Sequence, residues 1–122
     1  MLHKDITEKI LGAAVTVHQA LGPGLAEHSY QAAMAMELSE VGLAFEREPI
    51  LLARFKGAVV GRHRPDFIVA AAVILELKCA NGLEPVFTTQ VLTYLRLSGL
   101  KVGLLVNFNV PAIGYGIKRI VL

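Results

Sequence analysis

Two short segments, "RPDFIV" (64–69) and "VILELK" (73–78), carry two acids and a lysine at a spacing that could do chemistry. Side chains along a strand alternate between its faces, so Glu76 and Lys78 point one way and Val73, Leu75 and Leu77 the other. Asp66 lies one strand earlier, and a hairpin of this length can bring it beside Glu76. Two carboxylates and a lysine on one face of an apolar sheet are costly to bury without compensation. A divalent cation supplies it: Mg2+ takes hard oxygen ligands from carboxylates and keeps positions for water and phosphate oxygens. A neighbouring ammonium then orients an attacking water, or stabilises charge building on a phosphoryl group. A buried acid–lysine ion pair with no catalytic purpose fits the same spacing equally well.

A further acid stands in "GPGLAEHSYQAAM" (22–34). In a helix starting near Gly24, Glu27 shares a stripe with Tyr30, Met34, Leu38 and Val41, four residues suited to a core. Glu27 is therefore either a third acid converging on the Asp66–Glu76–Lys78 set or, with Gly24 as cap, a third helical residue reaching back to the cap amide. Arg62 and Arg64 fall on Asp66's face of the strand by alternation, where they steer phosphate or pair with the carboxylates. His63 falls on the opposite face and reads as a surface residue. His28 lies about 100° around the helix from Glu27 and reads as solvent-facing. His3 and His18 lack partners at metal-binding spacing. Tyr94 follows Gln90 by one helical turn, a position better suited to packing than to chemistry.

The elements that must position these groups are legible from periodicity. The first 21 residues read as a helix, with Ile6, Ile10, Ala13, Ala14, Val17 and Leu21 at helical spacing and Asp5 or Thr7 as cap. "GPG" (22–24) breaks it, and a second helix runs to about Val41 with Gly42 at its end. "AFEREPILLARF" (44–55) contains Pro49 and suits an edge or bulged strand. "KG" (56–57) is a turn, and "VVGRHRPDFIV" (59–69) and "VILELKC" (73–79) read as strands. Between them stand Ala70, Ala71 and Ala72, where a tight hairpin ordinarily prefers Asn, Asp or Gly. "PVFTTQVLTYLRLSG" (85–99) reads as a helix with Pro85 at its start and Gly99 after its end. "KVGLLVNF" (101–108) is apolar enough for a strand buried on both faces, and "GYGIKRIVL" (114–122) is a last strand or extended tail.

Composition bounds the rest. The 122 residues read as a single domain, 1–122, and 54% hydrophobic against 18% charged residues excludes disorder. A net charge of +2 shows no large basic surface, although a small basic cleft would not register in the sum. The lone Cys79 rules out an internal disulfide and any multi-cysteine metal site, and reads as a small buried or half-buried thiol rather than a nucleophile. The longest apolar run, "FIVAAAVIL" (67–75), is less than half of the ~20 residues a bilayer span needs. With a polar N-terminus, a cytoplasmic location with no membrane partner is expected.

Together, "RPDFIV…ILELK" resembles the PD-(D/E)xK nuclease signature, and "GLAEHSY" is similar to the motif of the GxxExxY family placed within that superfamily, with Gly24, Glu27 and Tyr30 at the named positions. "TTQVLTYL" resembles the following helix of that family, with Gln90 at its glutamine, and "GLKVGLLVNFNVP…GIKRIV" its ending. The resemblance spans about Ile6 to Val121. It implies an α/β, restriction-endonuclease-like αβββαβ core, a mixed sheet flanked by helices. It also implies Asp66 and Glu76 as metal ligands with the backbone carbonyl of Leu77, and Lys78 holding the hydrolytic water. Glu27 takes the place of an additional acid, and Gln90 orients the site or contacts substrate. Apart from the resemblance, Tyr30, Arg62 and Arg64 are expected as substrate contacts. Mg2+ is the implied cofactor, with Mn2+ as substitute, and DNA or RNA the implied substrate. The alternative is a non-catalytic module that keeps the fold for nucleic-acid binding or for assembly into a homo-oligomer, which the apolar composition invites.

Overall fold

A computed structural model describes all 122 residues. Two helices come first, α1 (Lys4–Leu21) and α2 (Glu27–Glu40), followed by strands β1 (Phe45–Arg47), β2 (Leu51–Phe55), β3 (Ala58–His63), β4 (Phe67–Val69) and β5 (Val73–Lys78). Helix α3 (Pro85–Ser98), strand β6 (Val102–Asn107), a short 3-10 turn at Ile113–Gly116 and strand β7 (Ile117–Val121) complete the chain. Five strands form one mixed sheet in the order β1-β4-β5-β6-β7, while β2 and β3 pair apart from it as a hairpin. Setting that hairpin aside, α2, β1, β4, β5, α3 and β6 reproduce the αβββαβ order.

The sheet is covered on both faces. Val73, Leu75 and Leu77 pack with α1 and α2 through Ile10, Ala14, Tyr30 and Met34. Ile74 and Leu105 pack on the other face with Val91, Tyr94 and Leu95 of α3. Strand β6, buried along its whole length, pairs parallel to β5 and antiparallel to β7. Gly103 lets α3 approach this closely: a Cβ there would stand 2.5 Å from Val91 Cγ1. Pro85 begins α3, and Gly99, left-handed at φ 75°, ends it.

Several local expectations change. Helix α1 is preceded by a left-handed His3 rather than capped by Asp5 or Thr7, which lie within its first turn, where Thr7 Oγ1 donates to the Lys4 carbonyl. Segment 44–55 is two strands in different sheets, because Pro49 and a left-handed Glu48 (φ 52°) turn the chain out of β1. Segment 59–69 is likewise two strands. The chain leaves β3 after His63, and Pro65, which has no amide to donate to a ladder, is buried before β4 begins. Alternation therefore cannot be carried from Asp66 back through Pro65, and Arg62 and Arg64 do not share its strand face.

The β4–β5 turn is closed by alanines in an unusual conformation. Ala70 and Ala71 both have φ 53°, and the Ala72 amide donates to the Val69 carbonyl. A left-handed alanine costs roughly 1–2 kcal/mol, a cost glycine avoids. Exposed Ala71 is the better site for relief, so Ala71→Gly should stabilise the fold by about 1 kcal/mol in urea unfolding. Equal or lower stability would mean that the turn carries no strain.

Candidate active site

The register of the β4–β5 hairpin brings the two acids together. Phe67 pairs with Leu75, so Asp66, one residue earlier, stands opposite Glu76. The Asp66 amide donates to Glu76 Oε1 (2.9 Å), and the Leu77 amide donates to Asp66 Oδ2 (2.8 Å). Lys78, two residues beyond Glu76 on the same face, lies 3.6 Å from Glu76 Oε2, with its side chain 15% exposed. Its Nζ also stands 5.0 Å from the centre of the Phe87 ring on α3, a cation–π contact that restricts where the ammonium can point.

Electrostatically the pair is under pressure. Burial, then the neighbouring charge of Asp66, push the Glu76 carboxyl up from 4.5 to about 8, and Lys78 only partly offsets this. Tyr94 is raised to about 12 by burial and by Glu76. Cys79 is raised to about 11, by burial and then by the charges of Glu27 and Asp66. A thiol so strongly protonated is unsuited to nucleophilic attack.

Asp66 is held by a relay through α2 to the edge strand β1. Gln31 Nε2 donates to Asp66 Oδ1 (2.8 Å), and Arg47 Nε donates to Gln31 Oε1 (2.9 Å). Gln31 follows Glu27 by one turn of α2 and is buried, so the buried stripe is Tyr30, Gln31, Met34 and Leu38. Glu27 is instead the first residue of α2, after Ala26, and is exposed. Gly24 does not cap this helix, and Glu27 makes no capping bond. The capping reading fails because the helix begins later than the glycine. Glu27 keeps the angular position of that stripe but, as the first helical residue, stands at its open end, where core packing no longer covers it.

Glu27 nevertheless lines a wholly polar cavity of about 340 Å³ with His28, Gln31, Glu48 and Asp66. Partial burial and the charge of Asp66 raise its carboxyl, while Lys78 and the Cys79 amide hold it down. No group of three or more His, Cys, Asp or Glu side chains is gathered closely enough to hold a metal ion on its own, so Glu27 does not complete a preformed three-acid cage. The paired carboxylates still fit a divalent cation in donor chemistry. They are hard oxygen ligands in mutual repulsion, and Mg2+ is commonly held by one or two carboxylates with water and phosphate at its other positions.

Three of the remaining sequence candidates are placed differently from expectation. Tyr30 is fully buried; its hydroxyl donates to the Gly22 carbonyl and accepts from the Leu25 amide, and its ring stacks 4.5 Å from Phe108. It fastens the "GPG" loop and cannot contact substrate. Arg62 and Arg64 are exposed and do not line the acidic cavity. Gln90 does face the site side of α3, lining a cavity with Lys78 and Phe87, and donates to the Tyr94 hydroxyl (3.0 Å).

Gln31, Arg47 and Glu48 escape sequence reasoning. Gln31 left one trace, a polar residue four after Glu27 and next to Tyr30. Glu48 reaches Asp66 because its amide donates to the Asp66 carbonyl (2.8 Å), a contact between the residue after β1 and the residue before β4. Asn107, buried at the end of β6, also went unread; it ties down the loop after Lys78 by bonding the Ala80 amide (3.1 Å) and carbonyl (2.9 Å).

An αβββαβ sheet with an Asp, a Glu-x-Lys and a covering helix defines a class of metal-dependent nuclease folds, and the chain belongs to it: residues 4–120 match the PD-(D/E)XK nuclease superfamily. In structure it is similar to an alkaline exonuclease (LHK-Exo) from Laribacter hongkongensis, with a TM-score of 0.55 and 16% sequence identity over 99% of this chain and 71% of the exonuclease. That likeness concerns the fold. None of the curated proteins matches the chain. No helix is long and apolar enough to cross a membrane.

Proposed function

We propose that the protein is a Mg2+-dependent nuclease of the GxxExxY branch, hydrolysing phosphodiester bonds in nucleic acid at Asp66, Glu76 and Lys78. The observation that carries this reading is the Asp66–Glu76 pair, a half-buried and a buried acid held against each other beside a lysine. Asp66 and Glu76, with the Leu77 carbonyl, would hold the cation; Mn2+ would substitute. A bound divalent cation supplies a more acidic water and offsets charge on the scissile phosphate.

The chain's own residues do the rest. The Leu77 amide and Gln31 fix both oxygens of Asp66, so its carboxylate presents its remaining lone pairs in one orientation. Lys78, restrained by Glu76 and the Phe87 ring, directs its ammonium protons at the attacking water or the phosphoryl oxygens. Gln90, on the wall beside Lys78, is placed to contact substrate. Glu27, facing the same cavity as Asp66, acts through water rather than as a direct ligand.

The test is cleavage of labelled single- and double-stranded DNA and RNA with Mg2+ or Mn2+. Cleavage that vanishes in Asp66→Ala supports the reading; no cleavage of any substrate, or cleavage that survives this change, sinks it. Glu27→Gln should weaken Mn2+ binding, read by calorimetry, by roughly 10-fold while the melting temperature is kept, as expected for an outer group. Unchanged Mn2+ affinity would remove Glu27 from the site.

A further inference from the structure

The β2–β3 hairpin stands outside the main sheet and has no role in the chemistry above. Residues 51–65 hold four of the chain's twelve Lys and Arg (Arg54, Lys56, Arg62 and Arg64) and none of its ten Asp and Glu. The remainder therefore carries eight bases against ten acids, and the whole net positive charge sits on this one segment. None of the four bases forms a salt bridge; the ion pairs in the structure are Lys4–Glu8 and Lys78–Glu76. The hairpin also exposes apolar side chains, with Phe55 62% and Val60 65% exposed. Bare cations among exposed apolar groups are a surface lacking its partner.

Its position says which partner. The two stems of the hairpin meet beside the acidic centre, where the Glu48 amide donates to the Asp66 carbonyl, and β2 then leads toward the opposite end of the sheet, where Ile50, Leu51 and Leu52 line a cleft with Ile68, Ala71, Leu97 and Leu100. Leu51 at its base packs against the α3-side cluster, the sheet face that carries Glu76 and Lys78. From there β2 runs roughly 15 Å to its end at Phe55. Lys56 and Gly57, both at positive φ, close the turn. Leu52 pairs with Arg62 and Arg54 with Val59, so these four share one face of the ribbon. Phe55 lies at the tip, with Lys56 Nζ 5.4 Å from its ring centre.

We propose that this hairpin is a nucleic-acid arm that grips a single polynucleotide strand beyond the acidic centre, with Arg54, Lys56 and Arg62 on its phosphates and Phe55 stacked on an unpaired base. Charge complementarity selects a polyanion, and an aromatic face offered at a tip needs a base face that only an unpaired strand presents. A strand crossing the tip meets both the ring and the cations. The proposal rests on the nuclease reading for the direction of the strand toward Asp66, while the grip itself requires no catalysis.

The test measures binding in EDTA, where nothing is cut, by fluorescence anisotropy with labelled oligothymidylate, oligouridylate and a duplex over a range of salt. The Arg54→Gln/Arg62→Gln double variant should bind the strands at least about 10-fold more weakly, with a log–log salt slope shallower by roughly 1.4 for two phosphates. Phe55→Ala should weaken binding by about 5- to 150-fold with the slope unchanged. Phe55→Leu, which keeps the apolar bulk but not the stacking face, should lose as much. Melting temperatures near that of the parent protein show that any loss is local. Parent-like binding in either set overturns the arm, as does a duplex bound more tightly than the strands. Losses that track dissociation of an oligomer in sedimentation also overturn it, because the patch would then be a self-association surface. A parent protein that binds through the hairpin yet cuts nothing with Mg2+ sinks the catalytic reading and leaves the arm standing.

Discussion

Lys78→Ala should lower the cleavage rate by about 10²- to 10⁴-fold while leaving divalent-metal affinity equal or slightly higher. The direction for metal follows from charge: removing an ammonium 3.6 Å from Glu76 Oε2 takes away a cation that competes with the metal for the same carboxylate. The loss of rate follows from position. Lys78 is restrained by Glu76 and the Phe87 ring, so no other cation of the chain is pre-oriented at this site. Arginine is not a conservative replacement, because a planar guanidinium neither fits the site of a compact ammonium nor gives up its proton. Lys78→Arg should accordingly recover little activity. Calorimetry with Mn2+ beside single-turnover cleavage separates the two effects. If metal affinity and rate collapsed together, Lys78 would be holding the acids in place rather than acting on substrate.

The second large effect concerns stability and its pH dependence. Folded Glu76 keeps its proton up to about 8, whereas an unfolded carboxyl loses it near 4.5. The folded state binds the extra proton across that interval, so stability is full below about 4.5 and declines as pH rises toward about 8. In EDTA the protein should lose roughly 1–4 kcal/mol between those limits, a range that allows for the coupling to Asp66. Glu76→Gln should flatten the profile and leave the metal-free protein more stable than the parent at about pH 8, because the amide cannot ionise and can still accept from the Asp66 amide. The same variant should lose Mn2+ binding and cleavage, the outcome expected of an acid kept for function at the expense of stability. Urea unfolding of both proteins across the interval decides the matter. A flat parent profile, or equal slopes in the two proteins, would show that Glu76 is not the strained group.

The wider consequence is a division of labour around one hairpin turn. The β4–β5 register sets Asp66 against Glu76, and the Glu-x-Lys alternation sets Lys78 beside them. Groups from elsewhere then hold the set: Gln31 from α2, the Phe87 ring from α3, and Arg47 through Gln31. Gln31 is a clear positioning residue, since it bonds Asp66 on one side and Arg47 on the other.

What the sequence determined by itself was local. Period-two alternation put Glu76 and Lys78 on one face, hairpin length brought Asp66 opposite Glu76, and helical spacing with Pro85 and Gly99 delimited α3. These relations depend on a few neighbouring residues, and tertiary packing had no cause to override them. The same local logic failed where the chain breaks its own period. Pro65 ends the alternation that was to place Arg62 and Arg64 beside Asp66. Helix α2 starts two residues later than a Gly24 cap requires, which removes the capping role of Glu27 and leaves it at the uncovered end of the buried stripe. Ala70 and Ala71 adopt a turn that their side chains disfavour, because the β4 and β5 pairing on either side holds them there. Only the tertiary structure decided the rest. Gln31, Arg47, Glu48 and Asn107 reach the site or its loop by contacts spanning up to 35 residues of chain, and separations of that kind leave no periodic trace. The pairing of β2 with β3 and the anchorage of their stems beside the acidic centre, through the bond from the Glu48 amide to the Asp66 carbonyl, are likewise tertiary.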